Sequence, residues 1–317
     1  MTYAQFGLIQ AADFNTLVGG NPTTTANTLN ATWATGGGAA GYGQTAVANV
    51  AAGNSVLAST QWSSLVANTA SAATHQGSSI TSVSVPVAGG VISFNSAIPT
   101  NLQTIYTNRL NAATQGATTA NTATYNATWS QSLTFTHTAT FANGDAARYF
   151  FNSGGQIKMT CSHPGGSNIN LLFSELASNI GTVVMSAPTS GTVSIAGTSY
   201  SGITKVGGGG NAPTIDSSKG YYGLTTANAT VFTQTAATGP SGYLSSFIRF
   251  IARSNGTQGS NGDAGSVITI HTIWDEVPDG LVVATGAATT MTITAPETTN
   301  LANSWGSITL TGTVTGS

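Results

Sequence analysis

The feature that most constrains the fold is the stretch 133–141, Leu-Thr-Phe-Thr-His-Thr-Ala-Thr-Phe, in which threonine fills every even position. Successive side chains of a β-strand point to opposite faces, so this period-two alternation predicts a strand. Threonine and aromatic residues also favour strands, because they pack well on a pleated surface. We therefore expect a threonine face toward water and an opposite face that carries the apolar side chains and His137 toward a core.

Further short strands, separated by turn residues, are predicted along the rest of the chain. Residues 147–151 and 156–162, joined by Asn-Ser-Gly-Gly, match a β-hairpin that follows a turn at residues 143–145. One helix is predicted at residues 168–180, where Ile169, Leu172 and Leu176 form an apolar stripe. The other predicted strands are 181–185, 192–195, 230–234, 243–252, 267–274, 291–295 and 307–314. This pattern predicts a mainly β (α+β) fold, in which residues 131–317 form a β-sandwich or jelly-roll-like domain with one packed helix.

Residues 1–130 are predicted to form a mixed helical and β region that precedes this domain. Helices are expected at residues 11–18, 59–66 and 100–112, because apolar side chains recur there at helical spacing, and Pro99 suits the first turn of the third helix. Residues 82–94 alternate as a strand or hairpin would, with Ala-Gly-Gly at 88–90 as the turn. Residues 113–126 are mostly Ala, Thr, Asn and Gln, and we interpret them as the boundary between the two parts.

The small number of charged residues limits the classes of function that the chain can have. Charged residues make up 5% of the sequence, against about 25% in a typical soluble domain. Seven Lys and Arg residues cannot form a patch that neutralises several phosphates, so nucleic-acid binding is not expected. No apolar run approaches the roughly 20 residues that span a bilayer, and the first residues lack the features of a secretory signal, so we expect no membrane insertion. A surface of Thr, Ser, Asn and Gln suits closely packed copies, because it avoids desolvating ions.

Residues that carry nucleophilic or acid–base chemistry are scarce. The four histidines are His75, His137, His163 and His271, and no Gly-x-Ser-x-Gly elbow is placed between a strand and a helix. His137 and His271 lie in predicted strands, so we prefer core or interface histidines to catalytic bases. Cys161, the one cysteine, excludes an internal disulfide, and its mid-strand position favours a small buried side chain over a nucleophile.

Asp275, Glu276 and Asp279 form the one acidic cluster, in Trp-Asp-Glu-Val-Pro-Asp-Gly at residues 274–280. We prefer to interpret it as a turn, because turns favour Asp beside Gly. Two alternatives stay open: a hard cation such as calcium, which binds carboxylates, and glycoside hydrolysis, which uses two carboxylates about 5 to 10 Å apart. We predict no cofactor and no metal, and these three residues are the candidates if a metal is bound.

Three tyrosines are candidates for contact with a glycan. Tyr221, Tyr222 and Tyr243 stand in glycine-rich contexts that permit exposure, and an exposed ring stacks on the apolar face of a sugar. For each of them we nevertheless prefer core or interface packing.

A resemblance to a known class of proteins lies in residues 141–157, Phe-Ala-Asn-Gly-Asp-Ala-Ala-Arg-Tyr-Phe-Phe-Asn-Ser-Gly-Gly-Gln-Ile, with Ser-Leu-Thr-Phe-Thr-His before them. This stretch resembles segments of virion structural and tail-fibre-like proteins of tailed bacteriophages, including cyanophages. Residues 6–15, the Gly-Tyr-Gly-Gln turn at 41–44 and residues 259–268 are similar to such proteins too. The resemblance implies assembly into multimers, commonly trimers, and it brings no catalytic residues.

From the residues and the resemblance together, we expect a non-enzymatic virion protein of a tailed phage, assembled in the host cytoplasm. A tail fibre, baseplate or tail-tip component is the preferred role, with residues 1–130 docking to the particle. The expected partners are further copies of the chain, other tail or baseplate proteins and a host surface glycan. The alternatives are a capsid decoration or neck protein, a polysaccharide depolymerase that uses Asp275, Glu276 and Asp279, and a carbohydrate-binding appendage.

Overall fold

The computed structural model describes residues 9–19, 27–87, 92, 96–258 and 265–316. It confirms the predicted mainly β, α+β fold: of the described residues, 31% are strand and 23% are helix, and the sheets are antiparallel. Within the described part of the chain, no helix is long and apolar enough to cross a membrane.

Four helices form the N-terminal region, and they enclose a hydrophobic cluster of their own. The predicted helices at 11–18 and 59–66 are confirmed, and Phe14, Leu17, Trp62 and Leu65 are buried in that cluster. The third predicted helix begins at Ala97 and ends at Thr107, so its predicted last turns are wrong. The helices are α1 (Ala11–Val18), α2 (Leu29–Trp33), α3 (Ser63–Gln76), which a π-helical turn (Ala58–Trp62) precedes, and α4 (Ala97–Thr107).

The strand or hairpin predicted at residues 82–94 lies partly outside the described residues. Residues 88–91 and 93–95 are not described, and residues 82–87 contain no strand, so the prediction is wrong for that part.

Two antiparallel sheets make up the rest of the fold. The strands are β1 (Gln115–Tyr125), β2 (Ser132–Thr140), β3 (Gln156–Ser162), β4 (Thr182–Met185), β5 (Val193–Ile195), β6 (Thr198–Tyr200), β7 (Ile203–Val206), β8 (Thr214–Ile215), β9 (Ala229–Thr235), β10 (Phe247–Ser254), β11 (Val267–Asp275), β12 (Ala287–Pro296) and β13 (Thr309–Gly316). One sheet has five strands in the order β1-β12-β3-β4-β7, and the other has six in the order β13-β2-β11-β10-β9-β8, while β5 and β6 form a small separate hairpin.

The two sheets face each other across one hydrophobic core, which confirms the predicted sandwich. Ile157 and Met159 of the five-stranded sheet line the same small internal space as Phe250 and Ile270 of the six-stranded sheet. The alternation in β2 is confirmed as well: its odd-numbered side chains are buried, and its threonines are at least partly exposed. Burial of one strand face at every second residue therefore fixes which side of each sheet meets the core.

The hairpin predicted at residues 147–162 is wrong, because its first half is a helix, α5 (Gly144–Asn152). The Asn143 side chain accepts a hydrogen bond from the Ala146 backbone N–H at 2.8 Å, which caps the helix start. Ala147, Phe150 and Phe151 then recur at helical spacing and are buried. The second half is a strand as predicted, but β3 pairs with β12 and β4.

Residues 113–126, which we interpreted as the boundary between the two parts, hold a strand that the sequence pattern did not predict. They contain β1, which pairs with β12 along most of its length. Small and β-branched residues serve here because much of β1 is exposed, so the strand needs few bulky side chains. The sandwich core accordingly includes Ala123, before residue 131, while the N-terminal cluster also takes in Leu301. The division into residues 1–130 and 131–317 stays a prediction.

The predicted helix at residues 168–180 is confirmed as α6 (Ile169–Ile180), which packs against β3, β9 and β10.

The strand predicted at 243–252 begins later, at Phe247, because the Tyr243 and Ser246 N–H groups bond within a turn. The closing strand predicted near the end of the sequence is β13, and it pairs with β2 of the same chain.

We expect Asn143→Ala to lower the free energy of unfolding by about 1 kcal/mol, because the α5 start loses its capping acceptor. Urea denaturation followed by circular dichroism measures the change. Asn143→Asp keeps an acceptor and serves as the matched control, with a smaller loss expected. Equal stability of Asn143→Ala and the parent chain would contradict the capping role.

Candidate functional site

The strand registers define two opposite ends of the sandwich. At the distal end, Ser132 pairs with Asp275, and Phe247 pairs with both Asp275 and Thr235. At the other end, Thr140 pairs with Val267, and α5 follows directly in sequence. The N-terminal region docks at this second end, through a set of contacts that we call the joint: Arg148, Asn152 and Tyr222 against residues 35–41.

The joint is built around a wholly buried cation, Arg148. Its guanidinium donates hydrogen bonds to the backbone carbonyls of Thr35 at 2.9 Å, Gly38 at 2.9 Å and Ala40 at 3.2 Å, and it pairs with Asp145 at 3.1 Å. A buried charge is tolerated when its donors are satisfied in this way. Arg148 therefore fixes the loop of the N-terminal region to the first helix of the sandwich.

Asn152 and Tyr222 complete the joint. The Asn152 amide donates to the carbonyls of Ala40 at 2.9 Å and Gly41 at 3.0 Å. The Tyr222 hydroxyl lies 2.9 Å from the Gly38 carbonyl and 2.7 Å from Asn152 Oδ1. The Gly38 carbonyl is thus bound from two elements of the sandwich, by Arg148 of α5 and by Tyr222.

Tyr221 packs in the core, which is the interpretation that the sequence favoured over contact with a glycan. Its ring is fully buried and stacks on Phe151 with 4.3 Å between ring centroids. Gly220 precedes it because the backbone there passes too close to Pro188 to admit a side chain, so the glycine serves close packing and not exposure. Tyr222 is partly buried and its hydroxyl belongs to the joint. Tyr243 alone of the three tyrosines lies at the distal end.

The acidic cluster also lies at the distal end, where it closes a turn. Glu276 is almost fully buried, and its carboxylate accepts the N–H groups of Gly280 at 3.2 Å and Leu281 at 3.0 Å. Burial raises the pKa of Glu276, and these two donors partly oppose the rise. Burial and the neighbouring Asp279 raise the pKa of Asp275. This geometry favours the turn interpretation, and the described residues contain no group of three His, Cys, Asp or Glu arranged to hold a metal ion.

Exposed apolar side chains surround this turn. Leu171, Leu244 and Val282 are 45%, 46% and 64% exposed, respectively. Hydrogen bonds tie their segments together at this end: Asn170 Oδ1 accepts the Ala284 N–H at 2.7 Å, and Ser246 Oγ accepts the Val277 N–H at 3.0 Å. We call these three residues, together with Tyr243 and Asp279, the distal surface.

A buried His75–Glu297 pair lies at the joint end, and sequence reasoning missed it because its members are 222 residues apart. His75 Nδ1 and Glu297 Oε1 are 2.9 Å apart. Burial lowers the pKa of His75, more than the carboxylate raises it. Burial acts to raise the pKa of Glu297, but hydrogen bonds from His75, Asn300 and Thr299 hold it below its usual value. A neutral imidazole that donates to a carboxylate fits both directions.

The predicted core role of His137 is confirmed, since its side chain is fully buried within β2. His271 is partly exposed on β11 and lies 3.0 Å from the Thr136 hydroxyl. Burial raises the pKa of the Cys161 thiol to about 12, so the nucleophilic thiolate is scarce near neutral pH.

Comparisons with protein-family models, with curated proteins and with solved structures gave no match for this chain. Its function therefore has to be inferred from the joint, the distal surface and the composition.

We expect Glu276→Ala to lower the free energy of unfolding by about 1–3 kcal/mol, because the partly buried hydrogen bonds from the Gly280 and Leu281 N–H groups lose their charged acceptor. Glu276→Gln keeps an acceptor and should lose less, while the exposed Asp279→Ala should change stability by less than about 0.5 kcal/mol. Urea denaturation measures all three. A rise in melting temperature with calcium that Asp279→Ala abolishes would contradict a purely structural turn.

We expect Arg148→Ala to lower the free energy of unfolding by about 3 kcal/mol or more, because the loop carbonyls and Asp145 lose a buried partner. Limited proteolysis should then cut the loop at residues 35–43 faster. Arg253→Ala, at an exposed position, is the matched control and should cost less than about 0.5 kcal/mol. Equal effects of the two substitutions would argue against the joint.

Proposed function

We propose that the chain is a non-enzymatic structural protein of a tailed-phage particle, most consistent with a tail fibre, baseplate or tail-tip component. The observation that carries the proposal is that the two ends of the molecule differ: the joint and the distal surface lie at opposite ends of one sandwich. An attachment protein needs one end that binds the particle and another that meets the host. The helical region supplies the first, and the distal surface supplies the second.

The way in which the two parts are connected supports a mechanical role. Arg148, Asn152 and Tyr222 hold the loop through its backbone carbonyls, so the connection does not depend on exposed ion pairs. Exposed ion pairs weaken as salt rises, whereas buried hydrogen bonds are screened much less. Such a connection suits a particle that meets water of variable composition.

The distal surface supports host attachment as the outward role. It combines exposed apolar side chains with the partly exposed ring of Tyr243, and sugar or protein partners both use such residues. A depolymerase is less favoured, because Glu276 is buried and its carboxylate already accepts two backbone N–H groups. A capsid decoration or neck protein shares the composition, and its position in the particle distinguishes it.

We expect the purified chain to form a stable trimer, because phage fibres are commonly trimeric and the surface is poor in charge. Sedimentation equilibrium over a range of concentrations measures the assembly. A strict monomer at high concentration would count against an attachment protein. Immunogold labelling of intact particles then locates the chain: label on the tail supports the proposal, and label on the head or neck favours the decoration or neck alternative.

A further inference from the structure

The last strand, β13, lies at the edge of its sheet, and β1 of the five-stranded sheet lies beside it, where Asn121 and Tyr125 approach Gly312 and Gly316. β13 pairs with β2 on one side only. Its residues are exposed or partly exposed, and of its side chains only Leu310 and Val314 pack against the core. Edge strands with few buried side chains open at low cost and are prone to pairing with other chains.

A hinge precedes β13. Trp305 is buried in the sandwich core, so the chain is anchored up to that residue. Gly306 follows with a left-handed φ of +70° and open space around it. Residues 306–308 therefore connect a fixed point to the strand, and β13 can leave without disturbing Trp305.

Beneath β13 lies a notch that only a glycine closes. Gly312 pairs with His137, and a Cβ at this position would lie 3.0 Å from His137 Nε2 and would collide with Asn121 Oδ1. His137 is fully buried, and neither of its ring nitrogens has a hydrogen-bond partner of normal geometry; the same is true of Asn121 Oδ1. At this site β13 therefore packs tightly against polar atoms without providing hydrogen-bond partners for them.

The notch sets the register of pairing. Threonines of β2 and β13 face each other in pairs, such as Thr136 with Thr313. A shift by two residues would keep threonine against threonine, but it would place Leu310 or Val314 over His137. The acceptable strand is thus one with threonine at alternate positions and glycine opposite His137, and a second copy of this chain carries that sequence.

We propose that the edge of β2 is a strand-pairing surface for a second copy, and that copies exchange β13 across it. The inference rests on the proposed assembly of this chain with itself. Exchange of an identical element forms oligomers at low cost, because the pairing in the oligomer is the same as in the single chain.

Acid is expected to promote the exchange. The neighbouring strands present Ile270, Gly312, Asn121 and Thr289 toward His137, and none of these residues is charged. Cys161, beside Thr289, is neutral near physiological pH, and His271 bonds Thr136 on the outer face of the sheet. Burial lowers the pKa of His137, whereas a released strand would let the ring regain its ordinary value of about 6.5. Protons therefore bind the released form better, and release increases as the pH falls below that value.

Disulfide trapping tests the exchange. The hydroxyls of Thr138 on β2 and Thr311 on β13 are 2.6 Å apart, so Thr138→Cys with Thr311→Cys, in a Cys161→Ser background, places two thiols across the pair. Thr122→Cys with Thr290→Cys is the matched control, because those hydroxyls are 2.8 Å apart between β1 and β12. Both variants are held at about pH 5 or about pH 7.5 for increasing times, brought to about pH 7.5, oxidised for the same short interval, and run on a non-reducing denaturing gel, because thiols oxidise through the thiolate.

We expect covalent links between chains for the β2–β13 pair, forming about tenfold faster at the lower pH, and links within chains for the control pair. His137→Gln should remove the pH dependence. Links only within chains at both pH values would overturn the proposal. Sedimentation of the same samples separates the two inferences: a trimer with links only within chains overturns exchange alone, whereas a monomer with such links counts against both.

Hydrogen exchange on the unmodified chain provides a measurement that needs no substitution. The amides of β13 should exchange faster than those of β11 and should accelerate further in acid, after correction for intrinsic rates. Protection of β13 equal to that of β11 at both pH values would also overturn the proposal.

Discussion

The packing of two alternating strand faces is the constraint on which the rest of this structure depends. Each sheet buries the side chains of one face, so its inner strands present apolar groups mainly at every second residue, while the edge strands β1 and β13 stay largely exposed. The chain has few charges, and two of its arginines are bound by backbone carbonyls: Arg148 binds three of them, and Arg109 binds those of Ala39 and Tyr106. The core and the joint thus share one property, which is that neither relies on exposed ion pairs.

The sequence was most informative where a single local rule decided the structure. Alternation identified β2, and the apolar stripe identified α6, because each signal lies within one element. The rule failed at α5, whose short aromatic run fits a strand as well as a helix. The signals that distinguish them were present: Asn143 is a capping residue, and Asp145 stands in the first turn, where a carboxylate favours a helix. β1 was missed because an exposed edge strand needs no apolar alternation.

The functional surfaces were harder to predict, because their parts are distant in sequence. Arg148 and its acceptor Gly38 are 110 residues apart, and nothing in either segment specifies the other. Glycine-rich surroundings were taken to permit exposure of Tyr221, whereas the glycine there permits close packing. The acidic cluster was interpreted correctly as a turn geometry because Glu276 acts within five residues of its own position. Interactions between residues close in sequence could thus be predicted, whereas interactions between distant residues could not, whatever side chains they involve.

The joint also determines how the molecule bears tension. A pull applied at the distal surface reaches the helical region through the sandwich and then through the hydrogen bonds of Arg148, Asn152 and Tyr222. These bonds converge on one short loop, so they share the load and have to yield nearly together. A single long linker would instead stretch gradually. The two ends of the molecule are therefore stiffly coupled, so that a displacement of one end moves the other.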